Sequence, residues 1–194
     1  MAKRESNFIN MVVTLILVTG IAAAVLGFVY DATKGPIEAA KLKAQTEAIT
    51  QVLPEFDKLG ESFKTLTEAG GDSLEFFPAY KGGELVGTAI KTYTKKGFSG
   101  FISIMAGIDK DGNFSGYSVL EHGETPGLGS KMDSWFKNTE KPNQYVIGKN
   151  PESTKFTVSK DGGDIDAITA STITSRAFLD ALNRAYTSYK KEQK

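Results

Sequence analysis

The chain has 194 residues, with 23 Lys and Arg balanced by 23 Asp and Glu, a single His and no Cys. That length accommodates one domain with a sizeable core plus an accessory segment, and not two full domains. The balanced charge argues against nucleic acid as a partner. The missing cysteines remove disulfides, iron–sulfur clusters and most metal or thiol chemistry, so any redox function has to come from an organic cofactor.

Ser6 to Tyr30 carries no charged side chain, and Phe8 to Tyr30 is long enough to cross a hydrocarbon core as one helix. Lys3, Arg4 and the terminal amine precede it. They place residues 1–7 in the cytoplasm and everything after Asp31 outside, as a single-pass protein of the inner (cytoplasmic) membrane in contact with lipid. A cleaved signal peptide is the competing reading, with Ala22-Ala23-Ala24 as its small residues. The apolar run continues through Val25, Leu26, Phe28 and Val29, longer than a usual signal core, and favours the anchor. The span holds no charged group.

Gly35-Pro36 then ends the span, and Ile37 to Leu53 reads as a second helix with Ile37, Ala40, Ala44, Ala48 and Val52 on one side, widened by Leu42, Ile49 and Leu53. Pro54 stops it. It is either a stalk or a helix packed on the domain, packing being the commoner fate. Leu59 to Asp72, polar and with Gly60, Gly70 and Gly71, reads as a loop. Residues 31–72 are thus a juxtamembrane helix and loop, and 73–194 the folded domain.

Four strands follow at Phe76 to Tyr80, Glu84 to Tyr93, Phe101 to Asp109 and Phe114 to Leu120, rich in β-branched and aromatic residues. Lys81-Gly82-Gly83 and Asp109 to Gly112 read as hairpin turns with glycine at positive φ. Lys95-Lys96-Gly97 marks the remaining break. The third strand is nearly continuous apolar, as a central strand is, and the fourth lies nearer an edge. Trp135 and Phe136 open a short helical or loop element, Lys155 to Val158 is one more short strand, and Arg176 to Lys191 is an amphipathic helix. The fold class is α+β: an antiparallel sheet flanked by helices, preceded by one transmembrane helix.

Three stretches can carry chemistry. Lys96 to Ile102 brings two glycines and Phe98 to a strand entry, either a tight turn or a pocket wall for an aromatic ring. Glu121 to Lys131 holds three glycines, Pro126, Leu128, Lys131 and two carboxylates, where glycines let a backbone approach a flat ligand. Pro-Gly-Leu-Gly is more often just a turn, Lys131 is more often solvated than facing a phosphate, and His122 with Glu121 and Glu124 makes no convincing acid–base set. Asp166 to Ser175 concentrates hydroxyls where a loop turns into the last helix. A helix start holds an anion through its unpaired N–H groups and macrodipole, and a threonine there can carry a phosphoester. Ordinary N-capping by Ser or Thr explains the same cluster.

In this order behind one anchor, the stretches Gly97-Phe98-Ser99-Gly100, Gly107-Ile108-Asp109 with Asp111-Gly112, Glu124 to Lys131 and Asp166 to Ser175 resemble the FMN-binding domain family. That family is shared by the G subunit of Rnf electron-transport complexes and the C subunit of sodium-translocating NADH:quinone reductase. Its flavin-transfer motif, Asp-x-x-Ser/Thr-Gly-Ala-Thr followed by Ser/Thr, stands here as Asp166-Ala167-Ile168-Thr169-Ala170-Ser171-Thr172-Ile173-Thr174, with Ala170 for the usual Gly and Ser171 for the usual Ala. The resemblance implies FMN attached through its phosphate to Thr172 by register, with Ser171 as the second choice of acceptor, and Ser171 or Thr174 capping the same helix start.

It further implies flavin contacts from Glu124, Thr125, Leu128 and Gly129, with Lys131, Thr169, Ile173 and Thr174 nearby. Asp166 becomes the residue read by a separate flavin transferase. The implied function is an electron-relay subunit of an ion-translocating oxidoreductase complex, partnered by the other membrane subunits, with no catalytic or metal site of its own. The short chain favours the Rnf G subunit over the quinone reductase C subunit. A membrane-anchored ligand-binding or scaffold domain without flavin is the alternative, made conceivable by the altered Ala170-Ser171 pair.

Overall fold

The uncharged N-terminal run forms a helix, α1 (Phe8–Val52), in a computed structural model that describes residues 7–66 and 73–193. The chain divides into two units, residues 1–43 and 44–194. In the first unit α1 is apolar and exposed on all sides, and it is long and apolar enough to cross a membrane. Its threonine hydroxyls are bonded within the helix. Thr14, Thr19 and Thr33 donate to the carbonyls of Asn10, Leu15 and Val29 at 2.7–2.8 Å, so these hydroxyls do not oppose burial in lipid.

The expected break at Gly35-Pro36 is absent, and α1 runs on through Pro36. Proline removes one N–H and costs a helix about 3 kcal/mol, but its fixed φ is itself helical and the residues that follow, Glu38 to Ala44, are all good helix formers. The helix does end before Pro54, as expected.

In the second unit the last turn of α1 lies on an antiparallel sheet. The strands are β1 (Lys58–Leu59), β2 (Phe63–Leu66), β3 (Ser73–Lys81), β4 (Glu84–Gly97), β5 (Gly100–Asp109) and β6 (Phe114–His122), in the order β1-β3-β4-β5-β6 with β2 also paired to β3. The stretch read as a loop from Leu59 therefore contributes the end of β1 and all of β2 to the outer edge of β3, while residues 67–72 lie outside the described part. Neither strand shows the alternation that identifies one from sequence: β2 exposes Phe63 and Leu66 alike. All three strand breaks are hairpins. Gly82, Gly83 and Gly112 take φ of 59°, 88° and 84° as expected, and β4 runs through Lys95-Lys96 to pair Gly97 with Gly100 around a two-residue turn at Phe98-Ser99.

Both sheet faces are covered. Ala48, Ile49, Val52 and Leu53 meet Phe77, Ala79, Ala89 and Met105 on one face. This approach depends on Gly107 and Gly116, which pair across β5 and β6: a Cβ at Gly107 would overlap the Val52 carbonyl, and one at Gly116 would lie 2.8 Å from the Val52 Cα. The Ser115 hydroxyl donates to that same carbonyl at 2.6 Å, satisfying a helix-end acceptor that no N–H of the helix can reach.

The other face carries the main core and α3 (Thr172–Glu192), whose Ala177, Phe178, Ala181, Leu182 and Ala185 are buried in one cluster with Ile90, Ile102 and Ile104. Thr92 donates to the Ala181 carbonyl at 2.9 Å, and Asp180 accepts from Thr94 at 2.9 Å and pairs with Lys96 at 2.6 Å, so β4 holds α3 by polar contacts as well.

Between β6 and α3 the chain is irregular apart from short 3₁₀ turns and α2 (Met132–Trp135), which ends at Phe136. The strand expected at Lys155 to Val158 does not form. A single parallel bridge joins Val158 to Ile165, and the 3₁₀ turn Ser159–Asp161 between them leaves no room for a ladder. Aromatic stacking fixes this stretch to α3. The Phe178 ring lies flat on Phe136 with centroids 4.4 Å apart and edge-on to Tyr117 at 4.8 Å, and burying a phenyl ring of this kind is worth about 2–3 kcal/mol.

Candidate functional site

Three segments distant in sequence meet at the N-terminus of α3. The tight turn of the β4–β5 hairpin puts Phe98 at its tip, 68% exposed. After β6 the chain makes a turn in which the Thr125 carbonyl accepts from the amides of Leu128 at 3.2 Å and Ser130 at 3.3 Å, with Gly127 at a φ of 75°. The third segment is the hydroxyl run. Together they enclose a cavity of about 340 Å³, near the lower end of the 300–1,000 Å³ typical of small-molecule sites.

Phe98, Leu128 and Ile173 give the cavity its apolar walls, and Ser171, Thr172 and Thr174 give it hydroxyls. Glu124, Thr125 and Gly129, expected on the same site, line it too. Lys131 does not: it is solvent-exposed at the end of the 3₁₀ turn Gly129–Lys131. Thr169 and Asp166 line a second, more polar cavity of about 390 Å³, beside Lys141 and Lys160. Thr172 borders both.

The turn into α3 is held by Ser175, the last hydroxyl of the run and one to which the motif assigns no role. Its hydroxyl accepts from the Ile168 amide at 2.9 Å and donates to the Ser171 carbonyl at 2.9 Å, which draws residues 168–171 into a closed loop. Ser171 occupies the N-cap position but its side chain caps nothing, and the Thr174 hydroxyl donates to Glu124 instead, so the expected caps are not made by either residue. The cause is local. Ser171 has a backbone at φ −136° and ψ 46°, away from the extended conformation that lets an N-cap side chain reach forward. The helix start is left without a capping side chain, the arrangement in which first-turn amides can hold an anion.

Ala170 stands at φ 61°, the one non-glycine residue with positive φ among those described. A side chain in that region costs roughly 1–2 kcal/mol. The departure from the family motif at this position therefore retains a left-handed backbone that glycine adopts freely.

Upstream, Asp166 is fixed by three bonds. Its amide donates to the Asn143 carbonyl at 2.7 Å, its carbonyl accepts from the Trp135 indole at 3.1 Å, and its carboxylate accepts from Ser159 at 2.6 Å. Arg176, near the start of α3, grips Asp161 with two bonds of 2.6 and 2.8 Å. Those bonds hold the Asp161 carboxyl below its ordinary range.

Glu124 is 4% exposed and spans the gap between the segments. It accepts from the Ser99 amide at 3.1 Å through Oε1 and from Thr174 at 2.5 Å through Oε2. Its own amide donates to His122 Nδ1 at 3.1 Å, which gives the lone histidine a structural partner. Buried Tyr117 donates to the Met132 carbonyl at 2.7 Å, and burial pushes its phenol far above its usual range, so it is not an acid–base group.

The cavity is an apolar slot beside a threonine at an uncapped helix start. Residues 97–187, which contain all three segments, match the sequence model of the FMN-binding domain family. The chain is 34% identical over 182 residues to the G subunit of the ion-translocating oxidoreductase complex of Aliivibrio fischeri, covering 89% of this chain and 85% of the relative. It is 31% identical over 183 residues to the G subunit of the same name from Methanosarcina acetivorans, covering 91% of each. The G subunit of the Na(+)-translocating ferredoxin:NAD(+) oxidoreductase complex of Acetobacterium woodii is 30% identical over 188 residues, covering 90% of this chain and 88% of the relative. The chain belongs to the family of G subunits of ion-translocating oxidoreductase complexes and carries its FMN-binding domain.

Proposed function

We propose that the protein is the electron-relay flavoprotein subunit of an Rnf-type ion-translocating oxidoreductase complex, and that its FMN is joined by a phosphoester to Thr172. The observation that carries this is the position of Thr172, the first residue of α3, on the wall of the apolar cavity inside the FMN-binding segment. Thr172 is half-buried whereas Ser171 is only 8% exposed, which favours Thr172 as the acceptor. Phe98, Leu128 and Ile173 would hold the isoalloxazine ring, with Glu124, Thr125 and Gly129 around it and Thr174 behind. The ring supplies the redox chemistry, and the protein supplies position, dielectric and exclusion of water.

Asp166, Thr169 and the polar cavity lie on the face from which a flavin transferase would reach Thr172, and Lys131 would meet solvent or a partner subunit. Residues 8–30 anchor the chain in the inner membrane with the N-terminus in the cytoplasm and the FMN domain on the extracytoplasmic side, against the other membrane subunits. The names of the relatives favour the G subunit over a quinone reductase C subunit.

Expression with a flavin transferase followed by a denaturing gel tests the attachment. A fluorescent band is expected from the parent and from Ser171→Ala and none from Thr172→Ala, with peptide mass spectrometry placing FMN on Thr172. A dark parent band, or a label that survives in Thr172→Ala, refutes the proposal. In the first case the scaffold reading without flavin stands.

A further inference from the structure

Glu124 is a buried carboxylate with no cation paired to it among the described residues, and room has been made for it on two sides. Gly97, from the β4–β5 hairpin, and Gly129, from the loop after β6, flank it; a Cβ on either would come within 2.6 Å of one of its oxygens. Both oxygens receive hydrogen bonds from donors, the Ser99 amide and the Thr174 hydroxyl, as an ionised carboxylate requires. Thr174 lies in the first turn of α3, where the helix dipole favours a negative charge. Burying a charge without a counter-ion is costly and does not by itself stabilise a fold. Its effect falls on whatever shares its surroundings, and Glu124 lines the same cavity as Phe98, Leu128 and Thr172.

We propose that Glu124 is a positioning residue whose fixed negative charge makes a flavin in this cavity harder to reduce, and so sets the redox potential of the relay. This rests on the reading of the cavity as the FMN site. When a reduced partner passes two electrons to the flavin with uptake of one proton, the flavin gains one negative charge. When two protons follow, its charge is unchanged. A neighbouring carboxylate in a site of low dielectric opposes the first outcome, and the midpoint falls.

The test is spectroelectrochemical titration of the full chain, flavinylated by co-expressed transferase. Glu124→Gln keeps the shape and one hydrogen-bond acceptor but removes the charge. Its midpoint should rise by at least about 30 mV, a tenfold change in the two-electron equilibrium constant. Glu124→Asp keeps the charge and disturbs the packing, so its midpoint should stay within that interval of the parent. An unchanged or lowered midpoint in Glu124→Gln overturns the proposal, and so does a rise in Glu124→Asp equal to that in Glu124→Gln. Should Glu124→Gln not fold, Glu124→Met removes the charge with a side chain of similar length, and its midpoint should rise likewise; no rise overturns the proposal. A parent that carries no flavin refutes the site itself rather than this role for Glu124.

Discussion

The sheet and the irregular stretch between β6 and α3 are built on opposite principles. In the sheet each long strand is held by a ladder of backbone bonds and by packing on both faces, so any single contact is one of many. In the irregular stretch one bond often decides a segment: Trp135 to Asp166, Ser175 to Ile168, Arg176 to Asp161. The cavity lies where the two regions meet. It takes Phe98 from a hairpin and the rest of its lining from the loop after β6 and the turn into α3. Damage to the sheet should therefore lower stability as a whole, whereas damage to the irregular stretch should change the site before it changes the fold.

The largest break is expected at Gly107. An alanine there drives a methyl into the Val52 carbonyl, so Gly107→Ala should cost about 3 kcal/mol or more and lower the melting temperature by roughly 6–12 °C, read by thermal denaturation. Ser175→Ala comes next. It orphans the buried Ile168 amide, a loss of about 1–3 kcal/mol, and frees the 168–171 loop, so covalent flavin per chain should drop further than stability does. Equal fluorescence per folded chain in parent and variant would mean that this bond does not shape the acceptor.

Ala170→Gly has the opposite sign. It relieves about 1–2 kcal/mol of left-handed strain while adding about 0.4–1 kcal/mol of unfolded-chain entropy, for a net gain near 0.5–1 kcal/mol in a denaturant titration. A loss of stability would show that the alanine methyl has a packing role. The smallest effect belongs to Asp161→Asn. The Arg176 bonds depress the folded Asp161 value, so their contribution is present above the unfolded carboxyl range, about pH 4, and disappears as pH falls through the lower folded value. Parent and variant melting curves should differ at neutral pH and converge in acid; convergence at neutral pH instead would show that the pair contributes nothing.

The same contrast explains how much could be read in advance. The four long strands, the glycine hairpins and the final helix follow from alternation and turn chemistry, which act over a few residues. The hydroxyl run and the Glu124 loop are readable as motifs, and Thr172, Leu128 and Glu124 do share one cavity although more than forty positions separate Thr172 from either loop residue. Less was readable where the deciding contact is long-range or unpatterned. Strands β1 and β2 owe their existence to the free edge of β3 and carry no periodic signal of their own. Ser175 looks like any helical serine, and only folding shows that Ile168 lies within its reach. Thr174 looked like a cap because nothing local reveals the carboxylate arriving from Glu124.

Thr172 borders two cavities of different character, one apolar and one flanked by lysines. A threonine in a helix has two well-populated χ1 positions, and its branched β-carbon makes each of them stiff. For the proposed phosphoester, the χ1 torsion sets where its oxygen starts between the two chambers, and the branch restricts that torsion. A serine at this point would offer the same oxygen on a looser pivot. On the proposed phosphoester, this side chain is a stiff joint as well as a point of attachment.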